Sequence, residues 1–194
     1  MIKAIIFDCF GVVLTDSLQE MRAKLVREDP VAAREVKDIV AANNRGWIQP
    51  QESNAKIAAM LGMSVEAFRT QVRAGEVRNQ ELLDYVFELR GNYKTGMLSN
   101  VATGSLERRF PDNELSKYFD EVVISAEIGF IKPDPEAYKI AAERLCVLPS
   151  ECVFTDDKPD FCDAAGRTGM RSIVYKDFVQ FRGDLARLLD DPED

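Results

Sequence analysis

The sequence predicts an α/β fold: a mostly parallel sheet covered by helices on both faces, with a small all-helical domain inserted after the first strand. Three observations carry that reading. Short apolar runs rich in β-branched and aromatic residues recur along the chain, and helical patterns separate the later ones. Residues 16–79 break this rhythm, showing helical periodicity and no convincing strand. Strands alternating with helices argue for parallel pairing through crossovers that cover both sheet faces.

The first strand is expected at residues 3–7, where Ile5-Ile6-Phe7 runs apolar into the carboxylate of Asp8. The insertion follows as helical segments at 18–26, 31–42, 51–61 and 64–72, the last opening on Ser64, a side chain suited to cap a helix N-terminus. A helix at 81–89 leads back to a strand at 95–98. A helix at 105–110, a strand at 121–124, a helix at 135–145, a strand at 152–155, a helix at 161–168 and a strand at 171–175 complete the pattern. The organisation is thus a Rossmann-like core domain of residues 1–15 and 80–194 around a helical cap domain of residues 16–79. The acidic end, Asp190-Asp191-Pro192-Glu193-Asp194, is expected to fray.

Bulk properties narrow the function. The 194 residues suit one domain or a core with an insertion, and 46% hydrophobic with 30% charged residues is a soluble globular composition. A net charge of -8 disfavours nucleic acid as a partner, because that binding needs clustered cations to replace phosphate counterions. The first apolar run is broken by Asp8 and reads as neither a signal peptide nor a membrane span, so no membrane partner is expected. Cys9, Cys146, Cys152 and Cys162 form no CxxC pair, a pattern that suits reduced thiols and a cytoplasmic location. The chain has no histidine, which removes every Ser-His-Asp triad, Cys-His dyad and histidine base. Any chemistry must use carboxylates, lysine, hydroxyls, thiols or a metal.

Ligands of parallel α/β sheets bind beyond the carboxyl ends of the strands. Four polar clusters fall at such ends: Asp8 after the first strand, Ser99-Asn100 after the second, Lys132-Pro133 after the third, and Asp156-Asp157 with Asp160 after the fourth. Adjacent carboxylates repel and call for a cation or strong donors nearby. Together the clusters resemble the haloacid dehalogenase (HAD) superfamily of hydrolases. Phe7-Asp8-Cys9-Phe10-Gly11-Val12 is similar to its first motif, Met97-Leu98-Ser99-Asn100 to its second, Lys132 to its third, and Phe154-Thr155-Asp156-Asp157 to its fourth.

The resemblance implies a phosphatase acting on a small phosphorylated metabolite. Asp8 is the expected nucleophile, forming an aspartyl-phosphate, with Mg²⁺ held by Asp8, the Phe10 carbonyl and Asp156. Asp157 either binds the ion directly or orients a water on it. Ser99 and Asn100 are expected to bind substrate, and Lys132 to neutralise charge on the phosphate and on Asp8. Phe10 departs from the family, whose phosphatases carry there a second aspartate that protonates the leaving group. Such acid–base help is worth roughly 10²–10⁴-fold. Haloacid dehalogenases carry an aromatic at that place and need no Mg²⁺, so dehalogenase-type chemistry is one alternative and a non-catalytic metal and phosphate-binding module another. The sequence contains no GxxxxGK[ST] loop.

A few other residues invite reading. Cys9 is expected as a small packed side chain, Trp47 as the core of the helical domain, and Arg45 as a solvated helix-end residue, with an anionic substrate as its alternative partner. Asp160 either caps the helix near residue 161 or joins the metal site, and Phe161 stands where relatives often have a polar residue. The oligomeric state is not legible.

Overall fold

The computed structural model describes residues 1–190 and, among them, forms a five-stranded sheet and nine α-helices. The strands are β1 (Ala4–Phe7), β2 (Lys94–Ser99), β3 (Glu121–Ile124), β4 (Cys152–Asp156) and β5 (Arg171–Val174). They lie in the order β3-β2-β1-β4-β5, and every pairing is parallel. Ile6 pairs with Gly96 on one side and Phe154 on the other, so β1 is the central strand. All carboxyl ends therefore point the same way.

The helices are α1 (Ser17–Glu28), α2 (Pro30–Asn44), α3 (Pro50–Met60), α4 (Val65–Ala74), α5 (Gln80–Leu89), α6 (Ser125–Ile128), α7 (Pro135–Arg144), α8 (Pro159–Arg167) and α9 (Phe178–Leu189). Strand alternation splits β1 between two cores. Ile5 and Phe7 pack with Leu82, Leu83 and Val86 of α5 and Phe181 and Leu185 of α9. Ala4 and Ile6 pack with Ala137, Tyr138 and Ala141 of α7 and Ala164 and Ala165 of α8. The result is a three-layer α/β/α core. None of the described helices is long and apolar enough to cross a membrane.

Helices α1 to α4 bury a small cluster of their own, with Val36, Ile57, Ala58 and Phe68 at its centre. As expected, Ser64 caps α4, its hydroxyl accepting from the Ala67 N–H at 3.1 Å. The chain enters and leaves this unit side by side. The Thr15 N–H donates to the Val77 carbonyl at 3.0 Å, and the Asn79 N–H to that of Val13 at 2.9 Å. Further contacts seat α2 on the core: the Ser125 hydroxyl donates to the Asn44 carbonyl at 2.6 Å, and Arg45 pairs with Asp134 at 2.6 Å.

The structure corrects several expectations. Residues 105–110 form turns, not a helix. The Arg109 N–H bonds the Leu106 carbonyl, while its guanidinium takes at 2.9 Å the Ser105 carbonyl that a continuing helix would need. Trp47 is 72% exposed and outside the helical cluster, its ring meeting the Arg45 guanidinium at 5.3 Å. Asp160 caps no helix. The α8 helix starts at Pro159, a residue suited to the first helical position, with Lys158 as the cap residue, and Asp160 falls inside the first turn. The α9 helix was not anticipated: Phe178, Phe181, Leu185 and Leu188 form one apolar stripe that covers the sheet. From Asp191 onward, the acidic end expected to fray lies outside the described residues.

Phe181 is fully buried and meets Phe7 edge-on at 5.6 Å. Replacing it by alanine is expected to cost about 3–5 kcal/mol in urea unfolding, as for other buried Phe→Ala changes. A loss below about 0.5 kcal/mol, the range of surface changes, would mean that α9 does not close the core.

Candidate active site

Three of the four polar clusters sit at the carboxyl edge of the sheet because a strand delivers them there. β1 ends immediately before Asp8, β2 ends on Ser99, and β4 ends on Asp156. Since β1 lies directly beside β4, the Asp8 and Asp156 carboxylates become neighbours. Lys132 reaches them from the loop between α6 and α7. Its ammonium donates to Asp8 Oδ1 and Asp156 Oδ2, both at 2.6 Å. Asp8, Lys132 and Asp156 are all buried. The rings of Phe154 and Phe161 flank the same ammonium at 5.3 Å and 5.4 Å. Phe161 thus supplies an aromatic wall.

Asn100 lines the cavity and fixes the lysine loop. Its Oδ1 accepts from the Lys132 N–H at 2.8 Å, and its Nδ2 donates to the Lys132 carbonyl at 2.9 Å. Asp134 holds the next turn, accepting from the Ile131 N–H at 3.1 Å. Ser99 is fully buried, and its hydroxyl has no hydrogen-bond partner. A buried hydroxyl left unpaired is costly, so this one is poised for a ligand atom.

Electrostatics at the edge are unbalanced. Carboxylate oxygens of Asp8, Asp156 and Asp157 lie within 4.8 Å of one another. Three carboxylates face one ammonium there, and full ionisation of all three would leave two negative charges unbalanced. Burial, then repulsion from Asp156, pushes the Asp8 carboxyl above its ordinary range despite Lys132. Burial also raises Asp157 to about 6; Lys158 opposes the shift and Asp156 adds to it. Burial alone would depress the Lys132 ammonium, but Asp156 and Asp8 overcome it and hold the lysine charged.

Asp157 Oδ1 is buried without a partner, and Gly11 makes room for that side chain. A Cβ at position 11 would fall 2.4 Å from Asp157 Cγ, and the backbone there has φ +102°. An oxygen-only donor set, three carboxylates against one ammonium and an orphaned carboxylate oxygen fit a hard divalent cation such as Mg²⁺.

The Phe10 ring lies against the Arg109 guanidinium at 5.0 Å, and Arg109 is itself gripped by both carboxylate oxygens of Glu76. Cys9 is fully buried; burial and then Asp8 raise its thiol well above the ordinary value, so it packs and does not react. Sequence reading thus placed the residues at the strand ends but missed the helical side of the site. There a cavity of about 760 Å³ opens between the sheet edge and the helices, lined among others by Asp8, Phe10, Ser99, Lys132, Glu76 and Arg109. Neither Glu76 nor Arg109 belongs to a local pattern, and only the fold places them over Phe10.

A model of the haloacid dehalogenase-like hydrolase family matches residues 2–167, and the chain belongs to that family of hydrolases. Bifunctional epoxide hydrolase 2 of Rattus norvegicus is 39% identical over 75 residues, which is 39% of this chain and 14% of that protein's length. D-ribitol-5-phosphate phosphatase of Bacteroides thetaiotaomicron is 24% identical over 97% of this chain and 99% of its own. A solved HAD family enzyme from Bacteroides thetaiotaomicron, in complex with magnesium and inorganic phosphate, superposes with a TM-score of 0.73. That enzyme is 23% identical, with 91% of this chain and 95% of the other covered. The likeness to it speaks for the fold.

The raised carboxyls make stability depend on pH. A carboxyl whose folded pKa lies above its unfolded value favours the fold at low pH, and the benefit is lost as pH rises through the folded pKa. For Asp157 that window runs from 3.8 to about 6. In chelator, the wild-type melting temperature is therefore expected to fall between pH 4.5 and pH 7.5 relative to Asp157→Asn, measured by scanning calorimetry. Parallel curves for the two proteins would refute the assignment.

Proposed function

We propose that this hydrolase is a Mg²⁺-dependent phosphatase acting on a small phosphorylated metabolite. The observation that carries the reading is the cluster of three carboxylates, Asp8, Asp156 and Asp157, beside the unpaired hydroxyl of Ser99. A carboxylate cluster that needs a cation, next to a donor that needs an anion, suits phosphoryl transfer. The full-length relative named for a sugar-alcohol phosphate, and the similar fold in complex with magnesium and phosphate, support it.

In this reading Asp8 attacks phosphorus, the bond to the leaving oxygen breaks and that oxygen takes a proton from water. The aspartyl-phosphate so formed is hydrolysed by water to inorganic phosphate and free Asp8. Asp8, the Phe10 carbonyl, Asp156 and Asp157 would hold the cation. When bound, Mg²⁺ supplies the positive charge that lets two anions meet. Lys132 donates to Asp8, lowers the cost of its charge and neutralises charge on the transferred group. Ser99 donates to a phosphate oxygen, and Asn100 holds the Lys132 main chain in place. Residues 16–79 act as a cap that closes the cavity and selects the substrate. The buried free thiols of Cys9, Cys152 and Cys162 suit a reducing cytoplasm.

A second reading rests on Phe10, an aromatic where most phosphatases of this family have an acid. Dehalogenase chemistry has no use for the orphaned Asp157 carboxylate, which favours the phosphatase. Phosphate release from p-nitrophenyl phosphate is expected with Mg²⁺ and not with chelator, while chloride release from 2-chloropropionate is expected under neither condition. Asp8→Asn should abolish turnover, and Lys132→Ala should lower kcat by roughly 10²–10³-fold. Phe10→Asp should raise turnover of esters with poor leaving groups, by up to roughly 10²-fold. Chloride release without Mg²⁺ would overturn the phosphatase reading.

A further inference from the structure

The chain carries a net charge of -8, yet the helical side of the cavity is basic. Arg69 and Arg73 stand one turn apart on α4 and line the cavity together with Arg108 from the turns after β2. All three are exposed, and among the described residues none has an ion-pair or hydrogen-bond partner. They face one another closely enough that burial and then Arg109, Arg69 and Arg73 lower the Arg108 pKa. Arg109 differs, being already neutralised by Glu76. Arg22, on α1, lines the same cavity, and its Nε is buried with no hydrogen-bond partner. Glu107 offsets only part of the repulsion at Arg108, and among the described residues none of the three guanidinium groups is paired with an acid.

We propose that Arg69, Arg73 and Arg108, with Arg22 on the cavity wall, form a second anion subsite on the helical side, distinct from the phosphoryl site at Asp8. The proposal rests on the phosphatase reading and narrows its substrate class. The ligand is a phosphate ester with another anionic group, a carboxylate or a second phosphate, at the end away from the transferred phosphoryl. Arginine suits that task, since its planar fork of donors matches both groups. In a cavity of about 760 Å³ the two anions of one small metabolite fit together.

The test compares matched ligands by isothermal titration at 0.15 M KCl with Mg²⁺, in an Asp8→Asn background that blocks turnover. Glycerol 3-phosphate against 3-phosphoglycerate tests the carboxylate; fructose 6-phosphate against fructose 1,6-bisphosphate tests the second phosphate. In at least one pair the ligand with the second anionic group is expected to bind roughly tenfold tighter or more. Adding Arg73→Gln or Arg108→Gln should bring that ratio toward one. Arg34→Gln, which removes an exposed charge outside the cavity, should not.

Ratios near one in both pairs would overturn the proposal. So would arginine variants that weaken both members of a pair equally, because that is general attraction of anions and no subsite. Hydrolysis of p-nitrophenyl phosphate by the wild-type protein is scored separately. If it fails, the phosphatase reading falls while the binding ratios still decide the subsite.

Discussion

The structure turns on one ammonium shared between two buried carboxylates. Lys132 Nζ sits 2.6 Å from both Asp8 and Asp156, and isolated charges so far from water would be prohibitively unstable. The contact exists because the strand order makes β1 and β4 neighbours, so that two chain segments far apart in sequence end in adjacent acids. It persists because Asn100, one residue past β2, holds the Lys132 main chain by two hydrogen bonds. Sheet topology thus becomes local electrostatics, and three strand ends cooperate to seat one side chain.

That arrangement is stable but not neutral. One lysine cannot balance three carboxylates, and Asp157 is left with an oxygen facing no donor. The folding energy of the surrounding α/β/α core holds the imbalance in place. A well-packed sheet can carry a few unfavourable groups at its edge, and such groups concentrate where ligands bind. The buried Ser99 hydroxyl belongs to the same pattern: it costs stability in the free protein and offers a bond to a bound anion.

The parallel core was legible in the sequence because its signals are short and local. Apolar runs such as Ile5-Ile6-Phe7 have the length and composition of buried strands, and those of β1, β2 and β4 run into the polar residues that the fold brings to one edge. Asp8, Ser99, Lys132 and Asp156 could therefore be picked out before any geometry was known. The α9 helix escaped notice although its apolar stripe is regular, since Gly183 and several charges interrupt the run. Residues 105–110 look helical, but a side chain takes a carbonyl that the helix needs, a competition no periodicity reveals. Trp47 misled because size alone suggests burial, whereas the four helices fill their centre without it. The arginines and Glu76 around the cavity were invisible for a different reason: their neighbours come from distant segments, so only three dimensions group them.

Asp134 is bonded on two sides at once. One oxygen both pairs with Arg45, at the end of α2, and accepts from the Ile131 N–H in the segment that delivers Lys132. The helical unit and the ammonium are thereby fastened to a single carboxylate. Any swing of the helices away from the sheet must either release this clasp or drag the lysine's own anchor along with it. Asp134 is thus the joint through which the position of the helices can be felt at the lysine loop.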